Sequence, residues 1–290
     1  MNGLLLVDKP GGMTSHDVVA RVRRATGDSS VGHLGTLDPM ATGVLPLLLG
    51  KYTRLAQFFG PLEKTYTGTI RFGFATDTYD TEGQTVSKCV TVSLTTEQVR
   101  GTAELFQGEI EQMPPPFSAK KTGGKRAYQL ARAGETPKLK ASRITVKEFV
   151  ITAVSGNLAA FRITVSAGGY IRSVAHEMGI ALGCGAHLAS LRRVSAGPFA
   201  VEEAIPLKEI EDMSMVALEE RMPHPRTLLL KLPSVAADEL SVARVRNGAA
   251  VNLPESSAAP MVKIFEGQRN LIAIGKRIAG TLFQPVVVLM

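Results

Sequence analysis

Only two cysteines occur in 290 residues, Cys89 and Cys184, and they lie far apart. Neither has a second Cys or His at ligand spacing. Cys184-Gly185-Ala186-His187 supplies at most half a metal site, so both are read as reduced thiols and no metal is expected. No apolar run approaches the roughly 18 residues a membrane helix needs, which argues against a spanning segment. The first residues, Met1-Asn2-Gly3-Leu4-Leu5-Leu6-Val7-Asp8, lack the cationic lead and long apolar core of a secretory leader, and a cytoplasmic location is expected. There is no phosphate-binding glycine loop, no GxGxxG, no internal repeat and no low-complexity segment. Nucleotide-cofactor chemistry therefore has no visible seat, and no cofactor is expected.

Acids are also unevenly scarce. Between Asp28 and Glu63 the only one is Asp38, and from Lys120 to Lys147 the only one is Glu135. The second stretch carries Lys120, Lys121, Lys125, Arg126, Arg132, Lys138, Lys140, Arg143 and Lys147, broken by Gly123-Gly124 and Pro137. It reads either as a mobile arm attracted to phosphates or as a solvated basic surface, with Tyr128, Leu130 and Leu139 available to dock it. The whole chain has 33 Lys and Arg against 26 Asp and Glu, a formal net charge of +7. That makes a polyanion a plausible partner without requiring one. With 44% apolar and 20% charged residues, the chain can bury a sizeable core. Its length suits one domain of about 200 residues and a smaller one.

The most informative stretch is Gly32-His33-Leu34-Gly35-Thr36-Leu37-Asp38-Pro39-Met40-Ala41-Thr42-Gly43-Val44-Leu45-Pro46. Its glycines and prolines forbid a regular element and imply a stiff loop holding one carboxylate against an apolar run. From spacing alone, it reads equally as a reactive loop or as a surface turn begun by Asp-Pro. The stretch resembles the catalytic motif of the TruB family, the tRNA pseudouridine-55 synthases. Leu34 departs from that pattern, standing where a smaller or hydroxyl-bearing residue is expected.

Three further segments carry the resemblance. Lys9-Pro10 with the Gly11-Gly12 turn resembles the family's N-terminal signature, and Lys64-Thr65-Tyr66 its Lys-x-Tyr. Gly168-Gly169-Tyr170-Ile171-Arg172 and Gly183 to Arg193 resemble its last motifs. The resemblance implies that Asp38 is the catalytic carboxylate and that Arg172 pairs with it. It further implies that Tyr66 stacks on the target base, that Tyr170 is positioned to aid deprotonation at C5, and that Leu191 lines the uracil pocket. Lys9 and Lys64 enter as substrate-binding candidates with those signatures, and His33 as a residue that contacts RNA or fills space vacated by a flipped base. On the residues alone, Tyr66 is a core tyrosine, Leu191 is core, Arg192-Arg193 is a solvated pair and His33 is a hydrogen-bonded loop histidine. Arg172 is the exception. A cation in the first turn of a helix is disfavoured by the dipole and points to a distant anion, either a phosphate or Asp38.

The elements follow from apolar runs, caps and periodicity. Gly3 to Val7 is a strand, and Thr14 caps a helix with Val18, Val19 and Val22 on one face and Gly27 as its stop. Lys64 to Gly73 and Phe161 to Val165 alternate as strands. Thr95 or Thr96 caps a helix, and Ile171 to Leu182 forms another. Met113 to Ala119 is rigid and non-helical. Asp77 to Gly83 is an acidic, solvated turn. Val262–Phe265, Leu271–Gly275 and Pro285–Leu289 are short strands of a C-terminal module, with Val245-Arg246-Asn247-Gly248 as a turn before another. The fold class expected is α+β. A mixed, mainly antiparallel sheet flanked by helices fills a catalytic domain at 1–225, with a basic insertion at about 114–147. A small PUA-like β-barrel follows at 226–290. The family resemblance implies isomerisation of uridine 55 in the T-loop of tRNA by a monomer without an obligate protein partner. The competing functions are a non-catalytic RNA-binding or tRNA-folding protein, and a guide-RNA-directed relative within a multi-protein particle.

Overall fold

The computed structural model describes residues 1–118, 120–255 and 257–290, with the side chains of Lys121 and Arg132 outside the description. In chain order the first part contains β1 (Gly3–Lys9), α1 (Ser15–Thr26), β2 (Val31–His33), β3 (Thr42–Leu49), α2 (Ala56–Phe59), β4 (Lys64–Phe72), α3 (Thr96–Glu104) and β5 (Gly108–Gln112). It continues with β6 (Lys121–Thr122), β7 (Lys125–Arg126), α4 (Ala127–Arg132), β8 (Ser142–Ser155), β9 (Leu158–Val165), α5 (Ile171–Ala181) and β10 (Ala186–Ala196). It ends with β11 (Phe199–Ala200), β12 (Ile205–Pro206), α6 (Leu207–Asp212) and α7 (Met215–Arg221). A ten-stranded sheet runs in the order β12-β1-β3-β10-β4-β9-β8-β5, with β2 joined to β3 and β11 to β10. Only β1–β12 and β3–β10 are parallel, so the sheet is mixed and mainly antiparallel.

Local chemistry explains the elements that position the loop between β2 and β3. Thr14 and Asp17 close a reciprocal capping box ahead of α1, with Asp17 N donating to Thr14 Oγ1 at 3.1 Å and Thr14 N to Asp17 Oδ2 at 2.8 Å. Gly27 ends α1 in the left-handed conformation. In β1 the apolar run is continuous rather than alternating because both faces are buried. Leu5 and Val7 join the core beneath α1, while Leu4 and Leu6 join a second core shared with the C-terminal module. β3 divides in the same way, with Leu45 and Leu47 on one side and Val44 and Leu48 on the other.

The C-terminal module comprises β13 (Ser234–Ala237), α8 (Glu239–Arg246), β14 (Val251–Asn252), β15 (Met261–Glu266), β16 (Asn270–Ala279) and β17 (Leu282–Val288). Its five strands curl in the order β13-β15-β16-β17-β14, a PUA-like half-barrel. Phe265, Leu271, Ile274 and Leu289 pack against Leu4, Leu6, Tyr52 and Leu55 of the first part. The buried Lys263 ammonium donates to Arg226 O at 2.7 Å and Leu228 O at 2.6 Å, tying down the connecting segment. Val245 and Arg246 lie in α8 instead of a turn. The turn begins only at Asn247-Gly248, because Asp238 caps a helix whose Val242 and Val245 face the module's core.

Candidate functional site

The chain leaves β2 at His33 and re-enters the sheet at Thr42, and the loop between them is pinned along its length. Leu34 N donates to Pro46 O and Gly12 N to Pro39 O, both at 2.9 Å. Ser15 Oγ accepts from Leu37 N at 2.8 Å and donates to Leu37 O at 3.1 Å. Leu37 and Ala41 are buried on either side of Asp38, whose carboxylate remains 31% exposed. Backbone and flanking side chains are thus fixed while the Asp38 carboxylate faces outward.

Two fully buried cations hold this loop from below. Lys9 Nζ donates to Pro10 O at 2.8 Å, Met13 O at 2.7 Å and Pro39 O at 3.1 Å. Burial drops its pKa to about 8 even though the Asp38 charge opposes the shift. Arg193 donates from Nε to Val44 O at 2.8 Å, from Nη1 to Thr36 O at 3.3 Å and from Nη2 to Gly35 O at 3.1 Å.

The loop's anionic tip meets Arg172. Nη2 of Arg172 donates to Asp38 Oδ1 at 3.0 Å, and Nε stands 2.9 Å from Oδ2 as a charge contact outside hydrogen-bond alignment. The same guanidinium donates from Nη1 to Thr78 O and from Nη2 to Phe117 O, both at 3.0 Å. Nη1 also lies 3.4 Å from Oδ2 of Asp80. Arg172 is 5% exposed and bridges two carboxylates from different loops. Its place at the start of α5 is set by Gln112. That side chain accepts from Tyr170 N at 2.7 Å and donates to Tyr170 O at 3.0 Å, fixing the backbone one residue before the helix.

Of the residues predicted from sequence, Asp38, Arg172, Tyr66 and Tyr170 converge electrostatically. Burial raises the pKa of Tyr66, opposed by the adjacent Arg193 guanidinium and reinforced by Asp38. Tyr170 is raised by burial, opposed by the nearby Ser118 hydroxyl and the Arg172 charge, with Asp38 again reinforcing. Both phenols stay protonated at neutral pH. Leu191 is buried at the edge of a cleft of about 560 Å³ that Met40, Thr42, Thr67, Thr69 and Phe161 help to line. The cleft opens beside the Asp38 loop rather than over the carboxylate. His33 is half-buried, its Nδ1 accepts from Gly35 N at 3.3 Å, and its ring meets His16 edge-on at 6.0 Å. Lys64 is half-buried, with Nζ donating to Leu62 O at 2.8 Å and its pKa lowered to about 8 by burial and by Arg193.

Several sequence readings are corrected. Lys9, named above as a substrate-binding candidate, lies beneath the loop. It is 0% exposed and its three donors are spent on carbonyls, so it supports the loop from within. Arg192-Arg193 is not a solvated pair, since Arg192 forms a double hydrogen bond to Asp8 at 3.0 and 2.7 Å and Arg193 is fully buried. The acidic turn at 77–83 is only partly solvated: Asp80 is 2% exposed, and its Oδ1 accepts from Thr78 Oγ1 and Glu82 N. The basic stretch is structured, with the β6–β7 hairpin and α4. From Ser142 onward it belongs to the central sheet, where Lys147 pairs with Glu63 and Arg143 with Glu111. Lys121 and Arg132 fall outside the described side chains, and Ala119 outside the described residues. Asp80, Gln112 and Arg193 went unread as site residues. Each is polar in an otherwise unremarkable setting, and only long-range packing marks it. The one available signal was Arg193 alternating with the apolar Leu191 on the same face of a strand.

Comparison with known proteins follows the same line as the geometry. Residues 23–171 match the model described as TruB family pseudouridylate synthase (N terminal domain), and residues 172–233 match the tRNA pseudouridylate synthase B C-terminal domain. The chain belongs to the TruB family. A relative from Solibacter usitatus named tRNA pseudouridine synthase B is 45% identical over the full length of both chains. One of the same name from Aquifex aeolicus is 39% identical over 97% of this chain and 98% of its own. Among solved structures, the Cbf5-Nop10-Gar1 complex superposes with a TM-score of 0.70 at 28% identity, covering 99% of this chain and 85% of the other. Among the described residues no group of three or more His, Cys, Asp or Glu could hold a metal ion, and no helix is long and apolar enough to cross a membrane.

Proposed function

We propose that this TruB-family protein converts uridine 55 in the T-loop of tRNA to pseudouridine. The observation that carries this reading is the Asp38–Arg172 pair: a carboxylate on an immobilised loop, charge-compensated by a buried arginine, between two protonated tyrosines. In the reaction the N1–C1′ bond of uridine breaks, the uracil rotates, C5 bonds to C1′, and the proton lost from C5 is balanced by one gained at N1. Nothing is oxidised and no group leaves, so side chains suffice. Asp38 supplies the nucleophile or base, and Arg172 holds it in place through its charged contacts. Tyr66 stacks on the base, Tyr170 stands near C5, and Leu191 walls the pocket. His33 and Lys64 contact the RNA. The base must leave its stack first, at a cost of a few kcal/mol.

We assign residues 1–225 to catalysis and 226–290 to RNA binding, and within the basic stretch at about 114–147 the part before the central strand β8 closes on the substrate. The enzyme acts in the cytoplasm as a monomer, without an obligate protein partner. Full-length similarity to relatives named tRNA pseudouridine synthase B supports this stand-alone reading. The test is to incubate the purified protein alone with unmodified tRNA and score pseudouridine by position. The wild type should modify position 55. Asp38→Asn should abolish conversion while holding tRNA affinity within about tenfold, roughly 1.4 kcal/mol. Appreciable turnover by Asp38→Asn, or none by the wild type without added protein, would overturn the assignment.

A further inference from the structure

Among the described residues Arg193 is the largest fully buried side chain. No carboxylate lies within ion-pair distance of it among the described residues, and a buried charge without one is costly. Its three hydrogen bonds all go to backbone carbonyls flanking Asp38: Gly35 and Thr36 before it, Val44 after it. A planar guanidinium can serve carbonyls arriving from separate directions in one plane, which an ammonium cannot do. Arg193 also stands at a junction of three strands. In β10 it lies opposite Gly43 of β3 on one side and Tyr66 of β4 on the other. Gly43 has φ +104, and any side chain there would run into the Arg193 backbone, so β3 and β10 are held at closest approach. Tyr66 is the register partner of Arg193 across β4 and β10, and the Arg193 charge acts on its phenol.

We propose that Arg193 is a positioning residue for pseudouridine formation. From beneath the site, its guanidinium sets the spacing between the Tyr66 ring and the Asp38 carboxylate. Arg193 touches no substrate and acts only through the loop backbone and the tyrosine. The proposal rests on the function given above.

The test uses full-length protein and a tRNA transcript under single-turnover conditions at saturating RNA. Arg193→Met should lower the rate at least 30-fold and Arg193→Lys at least tenfold, with tRNA affinity within threefold in both. Combining either with Tyr66→Phe should lower the rate no more than threefold below the worse single variant, because both changes damage one arrangement. If the Met variant does not fold, the Lys variant and its Tyr66→Phe cycle decide. Near-normal rates in a folded variant, losses that multiply with Tyr66→Phe, or a defect confined to affinity would each overturn the proposal. So would loss of fold in both variants, which would leave Arg193 a purely structural residue. A wild type inactive on tRNA would instead sink the function itself.

Discussion

Arg172 serves two carboxylates whose surroundings differ, and that difference separates its roles. Asp38 is partly exposed and can be hydrated without a partner, whereas Asp80 is buried and cannot. Arg172→Met therefore strands a buried charge at Asp80. Such a loss costs about 3–5 kcal/mol, and chemical denaturation should place the variant in that range. Adding Asp80→Asn should return much of the stability, because the amide needs no counter-charge. It should not return turnover, because Asp38 still lacks its partner. Arg172→Lys should be intermediate, since one ammonium cannot reach Asp38, Asp80 and the Thr78 and Phe117 carbonyls together. If the double variant recovered turnover along with stability, Arg172 would matter only for folding. This residue was legible early because a cation in the first turn of a helix has nothing to gain there. Asp80 was not, since an aspartate in an acidic turn is normally solvated.

At the scale of elements, a period is visible where burial is one-sided, whereas β1 and the C-terminal strands are read from short apolar runs alone. β4, β9, α1 and α5 show their period in sequence because each turns one face to the core. The continuous apolar runs of β1 and β3 show none, because the C-terminal module covers their second face. The basic stretch illustrates the opposite problem, where composition identifies charge but not anchoring. Lys120 Nζ is committed to Lys140 O at 3.0 Å and Ser142 Oγ at 2.6 Å, and the Thr122 hydroxyl to Lys138 O at 2.9 Å. Lys125, Arg126 and Lys138, in contrast, are exposed. Replacing those three with Gln should leave the fold intact and weaken tRNA binding. For each duplex phosphate no longer neutralised, the slope of log K against log salt should become shallower by up to about 0.9, measured from roughly 50 to 200 mM salt. An unchanged slope would remove this hairpin from the RNA surface.

The whole molecule is held together by an apolar interface with charged clamps, among them Arg54, Arg226 and the buried Lys263. Lys263 is 1% exposed and its pKa is lowered to about 8, chiefly by burial and secondarily by Arg226. The unfolded chain holds that proton up to the ordinary 10.5, so between pH 8 and 10.5 the unfolded state binds more protons than the folded one. Stability from this group therefore rises with pH across that window, with a slope on the order of 1 kcal/mol per pH unit, and is lost again as pH falls through 8. Denaturant titrations of wild type and Lys263→Met at about pH 7.5, 8.5 and 9.5 should show that slope in the wild type and a shallower one in the variant. Parallel curves would mean that Lys263 carries no such linkage. The variant should also loosen the segment at 226–228, because two carbonyls there lose their donor.

The sequence by itself determined the loop with its lone carboxylate, the capped helices, the alternating strands and the family to which the chain belongs. All of these depend on neighbours within a few residues. Only the tertiary structure decided which polar groups the site recruits. Beyond the Asp38–Arg172 pair already expected, Gln112 and Tyr170 are 58 residues apart, Arg172 and Thr78 are 94 apart, and Arg193 and Gly35 are 158 apart. The cost of burying a charge depends on what surrounds it, not on its place in the chain. The same residue types therefore read as a solvated pair or an acidic turn in sequence, and become the supports of the Asp38 loop once the sheet closes around them.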